Sequence, residues 1–535
     1  MPAQRATFST RALLVAGPVA SALFPVVSLY SANPRTPFFG VLPSLVALAA
    51  LALGVNAVFR SYARSATRGA LAAILFFVVL FAYGPVALPV ETGDAERDAL
   101  RRMVFALIYL ALVVAWSALL LFARRARGAW DAPARIASVV VCASLAVAVA
   151  QTVWGALAIR PVVGAPPATV EVAGRRPDIY HVILDGYSRA DVLRELYYLD
   201  NSEFVAALEQ RGFYVAAEAR ANYNQTYLSL ASMLSLEYLP EVSTLPGAGF
   251  RSEIGDTMVR HNLVVEKLRA RGYRFVNIAS ADDITGNNGN ADVELAGSSG
   301  IDVGEFELQL VLKTPLRQFA GASFALFRAT ARQRTLSQLR SLEDAAAAAR
   351  PAPAYVFAHV LCPHPPFVFA ADGSDSGIDA PPTLDEGAGT AGGPEGYRAG
   401  YREQVKFLNT RVLAAVDAIL AQHGEGDRPV IIISSDHGGG LEYELRRPDA
   451  SPEWARWGRT GILQAVLAPD EVKRKLYPGM TPVNTYRILF DGLFDEKLGL
   501  LPDRSYWAEW DGPYRAHEVG AAELAFRPAV EQPQP

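Results

Sequence analysis

Hydrophobic positions follow two regimes along the chain. Residues 1–158 hold five long uncharged apolar runs, near 12–31, 38–58, 70–90, 103–123 and 136–158, each close to the ~20 residues that cross a bilayer as a helix. Beyond residue 158 the apolar runs shorten to strand length. DIYHVILD (178–185), YRFVNIAS (273–280), AYVFAHVL (354–361) and RPVIIISSD (428–436) read as strands buried on both faces, as a parallel sheet requires. Amphipathic helical patterns separate them: NSEFVAALEQRG (201–212), NLVVEKLRARG (262–272) and REQVKFLNTRVLAAVDAILAQHG (402–424), each closed by glycine, as helix stops are. Such alternation predicts a doubly wound α/β domain with a mainly parallel sheet. The pattern therefore divides the chain into a transmembrane domain of five helices (1–158), a linker rich in Pro, Gly and Val (159–177), an α/β domain (178–510) and a C-terminal tail (511–535). TPVNTYRILFDGLF (481–494) reads as a packed helix, and the Gly-, Pro- and Asp-rich stretch 371–396 as a mobile surface loop.

Charge gives the helical part an orientation. Cytoplasmic loops retain Lys and Arg, and Arg5, Arg11, Arg60, Arg64, Arg68, Arg124, Arg125, Arg127 and Arg135 all fall on the amino-terminal side of the membrane. The opposite loops carry Arg35, then Glu91, Asp94, Glu96 and Asp98 against Arg97, Arg101 and Arg102. The amino terminus is expected inside. An odd number of spans then puts everything after residue 158 outside the cytoplasmic membrane, in the periplasm. A cleaved signal peptide competes for the first run, but four more runs follow and no small-residue cleavage site stands out. None of the runs contains an ionisable group of the kind that marks ion or proton pathways, which disfavours transport.

Residues 1–158 carry a net +8 and the rest −12. An outer part this acidic lacks the basic stripe that neutralises a nucleic-acid backbone, so nucleic-acid partners are excluded. The two cysteines, Cys142 and Cys362, rule out a disulfide framework. Richness in Ala and Arg points to a bacterial origin.

Candidate chemistry sits at strand ends. Ligands of open α/β sheets bind beyond the carboxyl ends of the strands, where Asp185 closes IYHVIL and Asp436-His437 closes PVIIISS, followed by Gly186 and Gly438-Gly439-Gly440 respectively. Carboxylates placed there, with glycines that let the backbone turn tightly, can converge on one metal. For either Asp alone, a helix cap or Asx turn is the competing role. In ANYNQTYLSLASMLSL (221–236), Thr226 opens an amphipathic helix. A hydroxyl there faces free N–H groups and the positive dipole end, although taken alone it reads better as only an N-cap.

Taken together, PDIYHVILDGYSRADVL, the NYNQT helix start, CPHPPF and SSDHGGG resemble the alkaline phosphatase superfamily, in its sulfatase-like branch of lipoteichoic acid synthase and the phosphoethanolamine and phosphoglycerol transferases. The resemblance spans most of 178–510, and those transferases likewise join five spans to an outer catalytic domain. It implies that Asp185, Asp436 and His437 are metal ligands, with Thr226 both nucleophile and fourth ligand of one divalent metal (Mn, Zn or Mg). The donor types suit these ions. It also makes His364, in HPPF, the candidate that binds or protonates the leaving group. His359, near the end of AYVFAHVL, is left as a partner behind the ligands or as a ligand of another metal.

The implied activity is a metal-dependent transferase or hydrolase of a lipid-linked or envelope-glycan phosphate ester. A membrane lipid or lipid-linked phosphate would be the donor, and an envelope glycan or water the acceptor. A non-catalytic envelope protein that binds glycan or regulates assembly through the same fold is the alternative. Three departures stand out. No further Asp-x-x-x-His of the two-metal phosphatases is evident, so one metal is expected. Thr226 replaces the Cys or Ser of the sulfatases' [CS]-x-P-x-R element, so sulfatase activity is not expected. Asp185 stands where lipoteichoic acid synthase-like enzymes have Glu. Asn224-Gln225-Thr226 matches a glycosylation sequon, which is expected to be accidental. Tyr401, Phe407 and Leu408 read as core, and the polar loop 281–295, with Asp282, Asp283, Asn287, Asn288 and Asn290, is given no role.

Overall fold

A computed structural model describes residues 8–32, 38–87, 95–122, 130–158, 176–239, 258–280, 282, 284–286, 288–295, 305–316, 320–349, 353–378, 392–424, 427–444, 447–509 and 516–525. Most of the expected linker 159–177 and of the tail 511–535, residues 379–391, and Asp283 and Asn287 lie outside the described residues. The chain forms two compact units. One comprises 1–160 and 303–327, the other 161–302 and 328–535.

Among the described residues, the amino-terminal part of the first unit forms the helices α1 (Phe8–Ala32), α2 (Phe38–Ala63), α3 (Ala66–Ala87), α4 (Ala95–Phe122) and α5 (Asp131–Ala158). Among the described residues, α1, α2, α3 and α5 are long and apolar enough to cross a membrane. The described apolar stretch of α4 is shorter, Met103–Trp116. Helices in a lipid setting approach through small residues, and Ala22, Ala52, Ala70, Ala72, Ala73 and Ala134 are buried at such contacts. A Cβ added to Gly17 of α1 would meet Ser138 Oγ of α5 at 2.5 Å. Leu107 and Leu112 of α4 and Trp154 of α5 point outward, as lipid-facing side chains do. The Glu305–Leu312 helix also belongs to this unit. Its Phe306 and Leu310 pack with Ala22, Val26, Phe77 and Phe81, and Ser44 Oγ donates to Glu307 Oε1 at 3.0 Å. The expected outer domain 178–510 is thus interrupted by a segment that joins the helices.

The second unit is built on a seven-stranded sheet of order β2-β7-β6-β1-β5-β3-β4: β1 (Ile179–Leu184), β2 (Tyr214–Val215), β3 (Arg274–Ile278), β4 (Val293–Leu295), β5 (Ala354–Val360), β6 (Val430–Ser434) and β7 (Gln464–Leu467). All strands run parallel except β7, which is antiparallel to both neighbours. The four expected strands are β1, β3, β5 and β6. Every residue of β1, β5 and β6 is buried, because helices cover both faces. Tyr180, Val182 and Leu184 face one core, shared with the long Gly393–Ala421 helix, and Ile179 and Ile183 face another, shared with the helices Thr226–Ser235 and Pro482–Leu493. Phe407 and Leu408 lie in the first core, as expected. The long helix begins nine residues before its expected start, with Pro394 in its first turn, a position that tolerates a missing N–H. Residues 371–378 are pinned: Ala370 N donates to Ser374 O at 2.9 Å, and Arg328 pairs with Asp375.

Candidate metal and nucleophile centre

Register places the site. Ile183 of β1 lies opposite His359 of β5 and Ser434 of β6, and Leu184 opposite Val360. The three adjacent strands therefore end together. Asp185 leaves β1 with its N–H on Val360 O at 3.0 Å, while Asp436 and His437 emerge just past β6. Asp185, Asp436 and His437 are all buried, and one ligand atom from each lies within 4.8 Å of the others. His437 Nε2 is 3.2 Å from Asp436 Oδ2 and 3.6 Å from Asp185 Oδ1.

Thr226 is the first residue of its helix. Gln225 occupies the N-cap with extended backbone and no capping side-chain bond, so the simple capping role is not the one adopted. Instead Thr226 Oγ1 lies 3.1 Å from His437 Nε2. The helix start is nailed down from below: Asn224 Oδ1 accepts from Ala508 N at 2.9 Å, and both Asn224 Nδ2 and Gln225 Nε2 donate to Ala508 O. Asn224 is fully buried, which bars a glycan, in line with the sequon being accidental.

These residues fit a divalent ion. His437 Nδ1 lies 3.0 Å from Gly438 O; a carbonyl only accepts, so Nδ1 carries the proton and Nε2 presents its lone pair toward both carboxylates. Ligands at ~2.0–2.2 Å around a tetrahedral ion are roughly 3.4 Å apart, close to the 3.1, 3.2 and 3.6 Å separations about Nε2. Asp436 Oδ2 is buried without a hydrogen-bond partner, an arrangement that costs stability unless a cation is present. Burial pushes the Asp436 carboxyl up, but the imidazoles of His437 and His359, the Gly186 N–H and the Thr226 hydroxyl together hold it below the ordinary range.

His359 is fully buried, 3.6 Å from Asp185 Oδ2 through Nε2 and 2.7 Å from Thr285 Oγ1 through Nδ1. Burial pulls its pKa down, opposed by Asp436 and Asp282. It stands directly behind Asp185. His364 lies across the site, its ring 6.4 Å from that of His437, its N–H on Asp185 O at 3.0 Å and its Nδ1 on Pro365 O at 2.7 Å. Thr226 and His364 are half-buried whereas Asp185, Asp436 and His437 are fully covered. Solvent thus reaches the two residues read as reactive and not the three read as ligands.

Three contributors were not singled out in the sequence. Tyr401, read as core, is buried and also donates from Oη to Gly186 O at 2.6 Å while accepting from Ser188 N at 3.0 Å; it holds the turn that follows Asp185. Thr285, in the polar loop given no role, orients His359. Arg459 is 1% exposed and packs over Tyr443 at 4.5 Å, with Nε on Asn224 O at 3.0 Å, Nη1 on Gly438 O at 3.2 Å and Nη2 3.0 Å from His437 Nε2. No local pattern marks an arginine in WGRTG as a site residue; only its spacing from DHGGG could be compared, and folding alone brings it there.

The glycines of SSDHGGG are needed for space. A Cβ on Gly438 would lie 2.2 Å from Gly458 O, and one on Gly439 2.2 Å from Tyr197 Oη. Because Gly458 O is backbone, Gly438→Ala must displace the loop that carries His437. We expect a loss of about 1–3 kcal/mol by chemical denaturation together with loss of bound metal. A variant of wild-type stability and metal content would contradict this.

No protein-family model and no curated protein matches the chain. Solved structures do show a likeness of backbone course. The C-terminal periplasmic domain of EcEptC from Escherichia coli matches with a TM-score of 0.43 and 12% identity over 68% of this chain and 98% of that one. The integral membrane protein lipooligosaccharide phosphoethanolamine transferase A from Neisseria meningitidis matches with a TM-score of 0.39 and 12% identity over 90% of this chain and 95% of that one. The phosphonate monoester hydrolase of Agrobacterium radiobacter matches with a TM-score of 0.38 and 12% identity over 62% of this chain and 80% of that one.

Proposed function

We propose that this chain is a membrane-anchored, metal-dependent enzyme of the sulfatase-like branch of the alkaline phosphatase superfamily. It transfers or hydrolyses a phosphate ester through Thr226 on the outer face of the cytoplasmic membrane. One observation carries the reading: a half-buried hydroxyl at a helix start lies 3.1 Å from an imidazole nitrogen that two buried carboxylates also approach. The Arg bias of the loops supports the outer, periplasmic location.

Asp185, Asp436 and His437 would hold the divalent ion, with Thr226 Oγ1 as the fourth donor. When bound, the ion supplies the positive charge that favours the Thr226 alkoxide and offsets an anionic substrate. Thr226 loses its proton to solvent on its exposed side, and Oγ1 forms a bond to phosphorus. The bond from phosphorus to the leaving oxygen breaks as His364 gives that oxygen a proton. The phospho-threonine then passes its group to an acceptor hydroxyl or to water, and Oγ1 departs. A lipid-linked phosphate donor suits a site tethered beside a bilayer, with an envelope glycan or water as acceptor.

The test uses the full chain in lipid with Mn²⁺ and a nitrophenyl phosphodiester, quenched during turnover. Mass spectrometry of the peptide containing Thr226 is expected to find the phosphoryl adduct on that residue. Product accumulation with the peptide always unmodified would sink the covalent route. Absence of both product and bound Mn²⁺ would favour the non-catalytic reading. Adding a glycan hydroxyl separates transfer from hydrolysis by the product formed.

A further inference from the structure

We propose that His181 is a positioning residue: by tying β6 to β1 inside the core, it sets the spacing between Asp185 and the Asp436-His437 pair. The inference rests on the metal-centre reading above. Its basis is a polar chain through the core shared with the helices Thr226–Ser235 and Pro482–Leu493. His181 Nε2 lies 2.8 Å from Ser434 Oγ of β6, and Nδ1 lies 2.8 Å from Tyr486 Oη of the Pro482–Leu493 helix. Tyr486 Oη is in turn 2.6 Å from Tyr355 Oη of β5. All four residues are at most 1% exposed. Burial, reinforced by the nearby His359, pulls the His181 pKa down to about 3. The ring is therefore neutral, with one donor and one acceptor. Because hydroxyls rotate, either tautomer makes both contacts.

The chain matters because the surrounding apolar pattern leaves the register open. On the face turned to this core, β1 presents Ile179, His181 and Ile183, and β6 presents Val430, Ile432 and Ser434. A slip of two residues keeps every side chain on its own face, and between aliphatic partners it exchanges one contact for another. It would nevertheless shift one strand end against the other by about 6.6 Å, more than the 4.8 Å that encloses the three ligand atoms. His181 and Ser434 are the polar positions on this face, and they meet at one register, with Ser434 opposite Ile183. Any other leaves a buried polar group unsatisfied; fixing register is the best-attested use of a single buried polar residue. The link also lies close to the site, since Asp185 follows His181 by four residues and Asp436 follows Ser434 by two. Metal ligation tolerates about 0.2 Å in donor distance, so slack between β1 and β6 changes which ion fits. Donors roughly 3.4 Å apart suit a tetrahedral Zn²⁺. Loosening them costs Zn²⁺ more than Mn²⁺, which accepts more open oxygen sites.

The experiment measures Zn²⁺ and Mn²⁺ affinities of the full chain in detergent by calorimetry, with denaturation midpoints, for wild type, Ser434→Ala, His181→Leu and Tyr355→Phe. Ser434→Ala and His181→Leu break the link between β1 and β6. Each should lower the ratio of Zn²⁺ to Mn²⁺ affinity by about tenfold, the usual size of an effect from behind the ligands. Tyr355→Phe removes a hydrogen bond from the same chain but leaves that link, so it should lower the midpoint and keep the ratio. A merely structural role cannot move the ratio, because a smaller folded fraction weakens both ions by the same factor. Ser434→Ala deletes a single buried hydroxyl and decides the outcome if His181→Leu does not fold. An unchanged ratio in Ser434→Ala, or an equal fall in Tyr355→Phe, overturns the role of His181 alone. Absence of Zn²⁺ and Mn²⁺ binding by wild type overturns the metal centre and this role together.

Discussion

Thr226→Ala is expected to abolish turnover of the phosphodiester, with a drop of at least about a thousandfold in kcat at saturating Mn²⁺. The size follows from the arrangement at the helix start. Gln225, and not Thr226, is the N-cap, and the backbone there is held by Asn224 and Gln225 against Ala508. Removing the hydroxyl therefore takes away the group proposed to react without removing the helix cap. Denaturation of the variant should stay within about 1.5 kcal/mol of wild type, the size of one hydrogen bond lost to the buried His437. Mn²⁺ should still bind through the three remaining donors, more weakly. Thr226→Ser, which retains the hydroxyl, should keep most of the turnover. A Thr226→Ala chain that turns over at the wild-type rate would end the nucleophile assignment.

Asp436→Asn isolates the metal-linked part of stability in the same centre. Asp436 Oδ2 is buried with no hydrogen bond, close to a second buried carboxylate, Asp185. Like charges brought together out of water disfavour the folded state until a cation joins them. Against this, the His437 and His359 imidazoles, the Gly186 N–H and the Thr226 hydroxyl hold the Asp436 carboxyl below the ordinary range, so neutralising it should cost the metal-free protein some stability. The linked stabilisation by metal should disappear. At free Mn²⁺ one hundred times its Kd, wild type gains about 2.7 kcal/mol, and Asp436→Asn should gain close to nothing. Thermal melts of both proteins with and without Mn²⁺ make the comparison; equal shifts would remove Asp436 from the ligand set.

The parts legible in the sequence are those where local pattern and tertiary role coincide. β1, β5 and β6 are buried on both faces, so their largely apolar runs show through, and the acids that follow β1 and β6 stand out by contrast. β2, β4 and β7 span two to four residues, too few for periodicity to register. β7 is also antiparallel and carries Gln464, whose Nε2 donates to Thr485 Oγ1 at 3.1 Å across the fold. The same limit applies to the site. Asp185, Asp436 and His437 are announced by strand ends and glycines, whereas Arg459, Tyr401 and Thr285 reach it over 22, 215 and 74 residues of sequence from His437, Gly186 and His359. Their contribution depends on helix placement and loop closure, which leave no signature in short windows.

The return of residues 303–327 to the helical unit changes what it means to detach the second unit. A single protease cut in the 159–177 stretch severs the chain between the helices and the second unit, yet the Glu305–Leu312 helix, which lies between β4 and β5 in the chain, stays packed on the helices by side-chain contacts. Release of the second unit then also requires that packing to come apart, so one cut there is expected to leave the fragment held on the helices until the Phe306 and Leu310 contacts are lost.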